Sequence, residues 1–327
     1  LALSGRPGPV WIDIPLDVQG FSPDEKDLIH FIPEEKSING ICGMDKFFEM
    51  YQQAKRPIIL AGNGVRLSGA VEDLREFSKS NNIPCVVSYL AVDYFEQDNL
   101  NYVGRLGIKG DRAGNFAIQN SDLIICLGSR LSVALTGFEY ELFGRESKLV
   151  VIDIDKDEHE KNTVKIDHFI KADVKEFLKI IADKVQKKEQ CEWQEKCIHW
   201  KNKWPVSQDN YDTDTVNMYE FTKALSELAN DNAIVVSDAG SSYYVTSQSL
   251  TFKSIKQRYI TSGAQADMGY TLPAAIGACI AANKSVVGIT GDGSFQLNIQ
   301  ELQTIKHYNL PIKIIVWNNN GYSSIRA

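Results

Sequence analysis

Long apolar runs are missing from this 327-residue sequence. The longest candidate, Leu272–Ala282, falls well short of the ~18 apolar residues a membrane helix needs, and it holds Pro273 and Gly277. Positive charge is also scarce. Lys+Arg number 35 against 42 Asp+Glu, giving a formal net charge of −7 and a pI near 5.4. Such a chain is a poor non-specific partner for nucleic acid or an anionic membrane, so neither is expected. The opening Leu1-Ala2-Leu3-Ser4-Gly5-Arg6 has no initiator Met and no basic-then-apolar leader. Cysteines number only six, and Cys85, Cys126 and Cys279 sit in apolar runs where a thiol packs as a small hydrophobe. Cys191 and Cys197, with His199 after them, lack the tight pairs of a zinc site. Free thiols in a reducing cytoplasm are the expectation. His30, His159, His168, His199 and His307 show no triad or metal spacing and read as surface or packing residues.

What is present is an α/β rhythm. Hydrophobic residues make up 43% and charged residues 24%, the balance of a globular protein. At ~100–200 residues per domain, the length suggests two domains and allows three. Pro9–Pro15 reads as one buried strand closed by a proline. Strands are expected at 57–60, 84–88, 122–127 and 148–154, with helices at 68–79, 112–119 and 174–185. Residues 186–205 are charged and carry Trp193, Trp200 and Trp204, a surface helix packed onto the neighbouring domain through its tryptophans. A second series has helices at 214–229, 270–281 and 294–308 and strands at 233–237, 259–261, 285–290 and 312–317. Strands alternating with helices imply parallel sheets covered on both faces, hence an α/β fold of three-layer domains.

The chemistry concentrates near the C-terminus. The strand Val286–Thr290 runs into Gly291-Asp292-Gly293-Ser294, then a helix, a further strand, and Asn318-Asn319-Asn320-Gly321. A glycine-flanked turn after a strand lets backbone N–H groups approach an anion, and the next helix N-terminus adds partial positive charge. Asp292 is a hard oxygen ligand at that turn, and the next parallel strand delivers Asn319 to the same sheet edge. A carboxylate, an amide oxygen and a backbone carbonyl suit Mg²⁺ or Ca²⁺ that also holds a phosphate. Open α/β sheets bind their ligands at this edge.

Gly291-Asp292-Gly293 followed by Asn318-Asn319 resembles the thiamine-diphosphate motif, and the wider chain resembles the acetolactate synthase large-subunit family. Ser4–Val10 and Ile12–Pro15 are similar to the end of that family's pyrimidine-binding domain. Gly104-Arg105-Leu106-Gly107 and Gly128-Ser129-Arg130 resemble its central, Rossmann-like domain. Thr261-Ser262-Gly263, Met268-Gly269-Tyr270 and Leu272–Gly277 resemble its cofactor-domain core. The resemblance covers essentially the whole chain, with the pieces in family order. It implies that residues 1–20 end a pyrimidine-binding domain and that 21–43 and 187–212 are linkers. It further implies a central domain at 44–186 and a diphosphate-binding domain at 213–327 that stops early.

The resemblance also implies roles. Asp292 and the Asn319 side chain would hold Mg²⁺, with the Gly321 main-chain oxygen as third ligand. Gly291, Gly293 and Ser294 would lie against the diphosphate. Gly240, Ser241 and Ser242 match a second diphosphate loop, where relatives often carry Gln-His in place of the two serines. Asp267 and Tyr322 complete the cofactor set. Met268 would sit under the cofactor and force a bent shape that makes proton abstraction effectively intramolecular. The implied reaction removes carbon dioxide from a 2-keto acid, with thiamine diphosphate as electron sink, and then adds a second carbonyl or a proton. The family's activating glutamate lies in the pyrimidine domain, and no residue here can be assigned to it. The chain is therefore expected to be a fragment, inactive alone, of a homodimer or homotetramer.

Two questions stay open. Gly62-Asn63-Gly64-Val65-Arg66-Leu67 lacks the third glycine of a dinucleotide fingerprint. Arg130 and Asp153 fall at positions resembling flavin contacts, so FAD and a plain strand-to-helix turn are both allowed. Asn320–Arg326 departs from the more acidic start and Gly-Met usual in acetolactate synthases. That admits a related 2-keto acid decarboxylase or carboligase of other metabolism. A non-catalytic cofactor-binding module is the alternative of another class, and the intact Asp292/Asn319 pair favours the enzyme.

Overall fold

The computed structural model describes residues 2–29, 31–32, 41–185, 191–207, 214–263 and 265–326. His30, most of the second half of the expected 21–43 linker, and parts of 187–212 lie outside the described residues. Among the described residues ten parallel strands form two sheets. β1 (Pro57–Ala61), β2 (Cys85–Val87), β3 (Tyr102–Arg105), β4 (Leu123–Leu127), β5 (Lys148–Asp153) and β6 (His168–Lys171) run in the order β3-β2-β1-β4-β5-β6. β7 (Ile234–Ser237), β8 (Arg258–Thr261), β9 (Val286–Gly291) and β10 (Ile312–Trp317) run in the order β10-β9-β7-β8.

The central strands of the first sheet are dictated by their composition. β1 (PIILA) and β4 (LIICL) contain no polar side chain, and every residue in them is buried. A strand covered on both faces needs such an unbroken run. Ile59, Ala61, Ile125 and Leu127 join a cluster with Phe47, Leu74 and Phe177 from the helices Met44–Gln53, Val71–Asn81 and Val174–Ala182. Ile58, Leu60, Ile124 and Cys126 face the other way, onto Ala117 and Trp193 of the helices Arg112–Asn120 and Cys191–Lys203. The helices start where side chains cap them. Asp173 accepts from the N–H groups of Lys175 (2.8 Å) and Glu176 (3.4 Å), and Asn217 does the same for Tyr219 and Glu220.

Four expectations need correction. Pro9–Pro15 forms no strand. Trp11 is 92% exposed, because a lone extended segment has no neighbour here to take its backbone groups. The single helix expected at 294–308 is two, Asp292–Leu297 and Glu301–His307, broken at Asn298. Gly240–Ser242 is not a loop but the first turn of the helix Gly240–Ser249. β3 and β6 were not anticipated; both are edge strands, whose polar residues Arg105, His168 and Lys171 mask the pattern. The tryptophan helix behaves as expected. The Trp193 indole N–H donates to the Pro57 carbonyl (3.0 Å), and Phe116 meets Trp200 and Trp204 edge-on.

The two sheets are joined through side chains. Asp93 accepts from Arg66 on one side and from Arg258 Nε (2.9 Å) and the Tyr259 N–H (3.1 Å) on the other. Among the described residues no helix is long and apolar enough to cross a membrane.

Candidate functional site

In the second sheet β7 lies between β8 and β9, so the chain direction of winding reverses beside β7. The carboxyl ends of β7 and β9 therefore flank a crevice where ligands of open α/β sheets bind. β9 ends at Gly291 and the helix Asp292–Leu297 begins on the next residue. β10 pairs with β9 so that Trp317 lies opposite Gly291, and the chain following it arrives beside Asp292. The Asp292 carboxylate accepts one N–H on each oxygen: Gly293 on Oδ1 (2.9 Å) and Gly321 on Oδ2 (2.6 Å). The backbone there takes three successive left-handed residues, Asn320 (φ 60°), Gly321 (φ 83°) and Tyr322 (φ 48°). For residues other than glycine this conformation costs about 1–2 kcal/mol each, and such strain clusters at ligand sites.

Asn319 Oδ1 decides what this corner suits. It is buried and has no hydrogen-bond partner. A buried acceptor left alone is costly unless something else meets it. The donor set is one carboxylate, one orphaned amide oxygen and nearby main-chain carbonyls, all hard oxygen ligands. Mg²⁺ coordinates such a set and keeps sites for phosphate oxygens. No three His, Cys, Asp or Glu side chains converge as a metal site among the described residues, so a cation here would rely on neutral oxygens beside the one carboxylate of Asp292. Gly293 faces the Tyr322 ring closely: a Cβ would sit 3.0 Å from it, so the ring would have to shift to admit a side chain.

The model of the thiamine pyrophosphate enzyme central domain matches residues 44–181, and that of the C-terminal TPP binding domain matches 238–327. The chain belongs to the thiamine pyrophosphate enzymes. It is 33% identical to a probable acetolactate synthase large subunit of Methanocaldococcus jannaschii over 98% of this chain and 56% of that protein. It is 32% identical to the acetolactate synthase isozyme 2 large subunit of Escherichia coli, over 100% of this chain and 58% of that one. With acetolactate synthase 1, chloroplastic, of Nicotiana tabacum the identity is 33% over 98% and 49% respectively. The chain thus spans about half the length of the curated relatives it matches.

Within this thiamine pyrophosphate enzyme fold the other expected residues take distinct places. Gly240 (φ 58°) and Ser241 open the helix that follows β7. The hydroxyls of Ser242 and Ser294 do not face the crevice. Ser242 donates to Asp238 and the Ala239 carbonyl, and Ser294 donates to Asp238. Only their backbone N–H groups are left for a phosphate. Asp267 is exposed and its N–H donates to Ser262 Oγ (2.8 Å). Met268 is 37% exposed. Its neighbour Gly269 donates its N–H to Ser294 Oγ (2.7 Å) and accepts from Asn298 Nδ2 (2.8 Å).

Asp238 was not anticipated. It is fully buried and accepts from four groups of three segments: the Ala239 N–H (2.7 Å), Ser242 Oγ (2.9 Å), Thr290 Oγ1 (2.7 Å) and Ser294 Oγ (2.6 Å). The available signal was its position, a carboxylate directly after strand β7 and before Gly240.

The first sheet has its own reversal, between β1 and β4. There Gly62-Asn63-Gly64 and Gly128 pack back to back: a Cβ on Gly62 would lie 2.3 Å from the Gly128 oxygen. Arg130 Nε donates to Glu158 (3.0 Å), and Asp153 lies 3.4 Å from His159 Nε2. Burial alone would raise the Glu158 carboxyl, but hydrogen bonds and charge from Lys161 and Arg130 outweigh it and hold it down at about 2.

Proposed function

We propose that this chain carries the metal and diphosphate half of a thiamine-diphosphate site serving decarboxylation and carboligation of a 2-keto acid, as in an acetolactate synthase. The observation that carries this is the corner at β9 and β10, where Asp292 stands over two N–H groups beside the orphaned Oδ1 of Asn319. In this reading Asp292, Asn319 Oδ1 and the Gly321 carbonyl hold Mg²⁺. The backbone N–H of Ser294, at a helix N-terminus, and those of Gly240, Ser241 and Ser242 bind the diphosphate, and Gly293, whose own N–H is held by Asp292, lies against it. Asp267 and Tyr322 border the cofactor, and Met268 supports its bent shape. Thiamine diphosphate supplies the electron sink for loss of carbon dioxide. The units 44–186 and 213–327 are the central and diphosphate-binding domains, and the full-length protein is a homodimer or homotetramer. Its compartment is the cytoplasm, which suits the buried thiols Cys85, Cys126, Cys197 and Cys279.

Calorimetry on the purified chain tests the reading without asking for turnover. Thiamine diphosphate is expected to bind only with Mg²⁺ and not to bind Asp292→Ala. Binding that ignores both the metal and this substitution refutes it. The reversal between β1 and β4 favours a second ligand site, with FAD as the candidate. Flavin absorbance in the purified protein supports it; a colourless protein that takes up no added FAD removes it.

A further inference from the structure

We propose that Asp238 is a positioning residue that, through Ser294, ties the Met268 turn to the metal-and-diphosphate turn. The proposal rests on the cofactor reading above for its purpose, but its geometry does not. Asp238 Oδ2 accepts the hydroxyls of Thr290 (2.7 Å) and Ser294 (2.6 Å), at the end of β9 and the start of the following helix. Oδ1 accepts the Ser242 hydroxyl (2.9 Å), in the first turn after β7. One buried carboxylate thus clamps both helix N-termini of the crevice to each other.

The polarity of this network matters as much as its reach. A carboxylate only accepts, so it forces the Ser294 hydroxyl to donate toward it. The lone pair of Ser294 Oγ is then turned to the Gly269 N–H, which donates to it at 2.7 Å. Asn298 Nδ2 clamps the other side of the same residue by donating to the Gly269 carbonyl at 2.8 Å. Gly269 lies at φ 81°, and a Cβ there would meet Asn298 Nδ2 at 2.9 Å and Leu297 Cβ at 3.0 Å, so the turn packs closely on that segment. Met268 immediately precedes it. The two places that must be held at a fixed separation, the Asp292 turn and the Met268 side chain, therefore share one frame.

Asp238→Asn keeps the shape and breaks the polarity. If the amide nitrogen replaces Oδ2, it donates to Thr290 and Ser294, and the Ser294 proton has no acceptor while Gly269 still presents its own N–H. Ser294→Ala removes the link to Gly269 together with the bond to Asp238, and leaves the Thr290 and Ser242 bonds to that carboxylate in place. The chain has four methionines, Met44, Met50, Met218 and Met268, so ¹³C-methyl methionine NMR reads the turn directly and without cofactor. The Met268 signal is expected to move or split in both variants, while the other three stay in place. Binding gives a second readout on folded protein: Mg²⁺–thiamine diphosphate is expected to weaken about tenfold in Ser294→Ala. Mg²⁺–pyrophosphate, which does not reach Met268, is expected to lose less affinity than thiamine diphosphate. A Met268 signal unmoved in both variants, or moving no more than the other three, overturns the proposal. If Asp238→Asn does not fold, Ser294→Ala alone decides. Failure of the unaltered chain to bind thiamine diphosphate would strike the cofactor reading and leave the NMR result standing.

Discussion

Arg105 and Asp111 form a buried ion pair whose removal should be felt by both sheets. Arg105 is 3% exposed and Asp111 7%, with Nη1 to Oδ2 at 3.3 Å and the Arg105 N–H on the same oxygen at 2.9 Å. The guanidinium also reaches across to the second unit, donating to the Gln248 carbonyl and to the Leu250 carbonyl (2.7 Å). Arg105→Met preserves the volume of the stem and removes every donor. Breaking one partner of a buried pair strands the other, at about 3–5 kcal/mol. The lost carbonyl bonds do not simply add to this, because one side chain makes all of them. With a urea dependence near about 3 kcal/mol per molar, the midpoint should fall by ~1–1.7 M. Because the bonds to Gln248 and Leu250 join the units, the single transition should also broaden or divide. Equilibrium urea unfolding followed by tryptophan fluorescence and circular dichroism measures both effects. Asp111→Asn added to Arg105→Met should recover part of the loss, since no charge is then left buried. Lys156→Ala, which breaks an exposed pair with Glu160, is the control and should leave the midpoint in place. A loss below ~1 kcal/mol in Arg105→Met, or no recovery in the double variant, refutes this account.

Gly64→Ala should destabilise by ~1–3 kcal/mol, read as a fall in Tm, because its Cβ would meet Gly128 Cα at 2.6 Å; Gly277→Ala, in the helix Thr271–Ala282 with open space at the Cβ, should instead stabilise by up to ~1 kcal/mol. Glu158 titrates near 2 in the fold, below its unfolded value, so the stability it gives is present above about pH 4.5 and disappears as the pH falls toward 2. Tm measured across that window should fall less steeply in Glu158→Gln, and the difference should shrink in high salt, because the Arg130 and Lys161 partners are partly exposed. Lys201 lines a cleft of about 500 Å³ between the helix Cys191–Lys203 and the second unit, and burial lowers its ammonium to about 8. Its folded value is below the unfolded one, so the cost of charging it is present below pH 8 and is relieved as pH rises toward 10.5; urea midpoints should show the native chain gaining on Lys201→Met over that range.

How much of this could be read from the chain alone depended on how local each cause was. β1 and β4 were legible because burial on both faces writes itself as an unbroken apolar run. The Asp292 corner was legible for a similar reason: a strand, a glycine turn, a helix and a second strand are contiguous, and parallel pairing of β9 with β10 brings the segment after Trp317 to Asp292, where the Gly321 N–H meets it. Pro9–Pro15 was misread because an apolar run specifies a strand only when a neighbour exists to pair with it, and that is not written in the run itself. The break at Asn298 was invisible because the side chain that interrupts the helix bonds to Gly269, in a different segment. Asp238 was missed for the same reason, taken further. Ser237-Asp238-Ala239-Gly240 reads as an ordinary turn, and what makes its carboxylate matter is hydroxyls from Thr290 and Ser294, which sequence separation hides. Ligand-facing groups must be exposed to their ligand and so are advertised by residue type. The groups that hold them are buried and satisfied by partners from elsewhere, so their identity follows only once the sheet has brought those partners together.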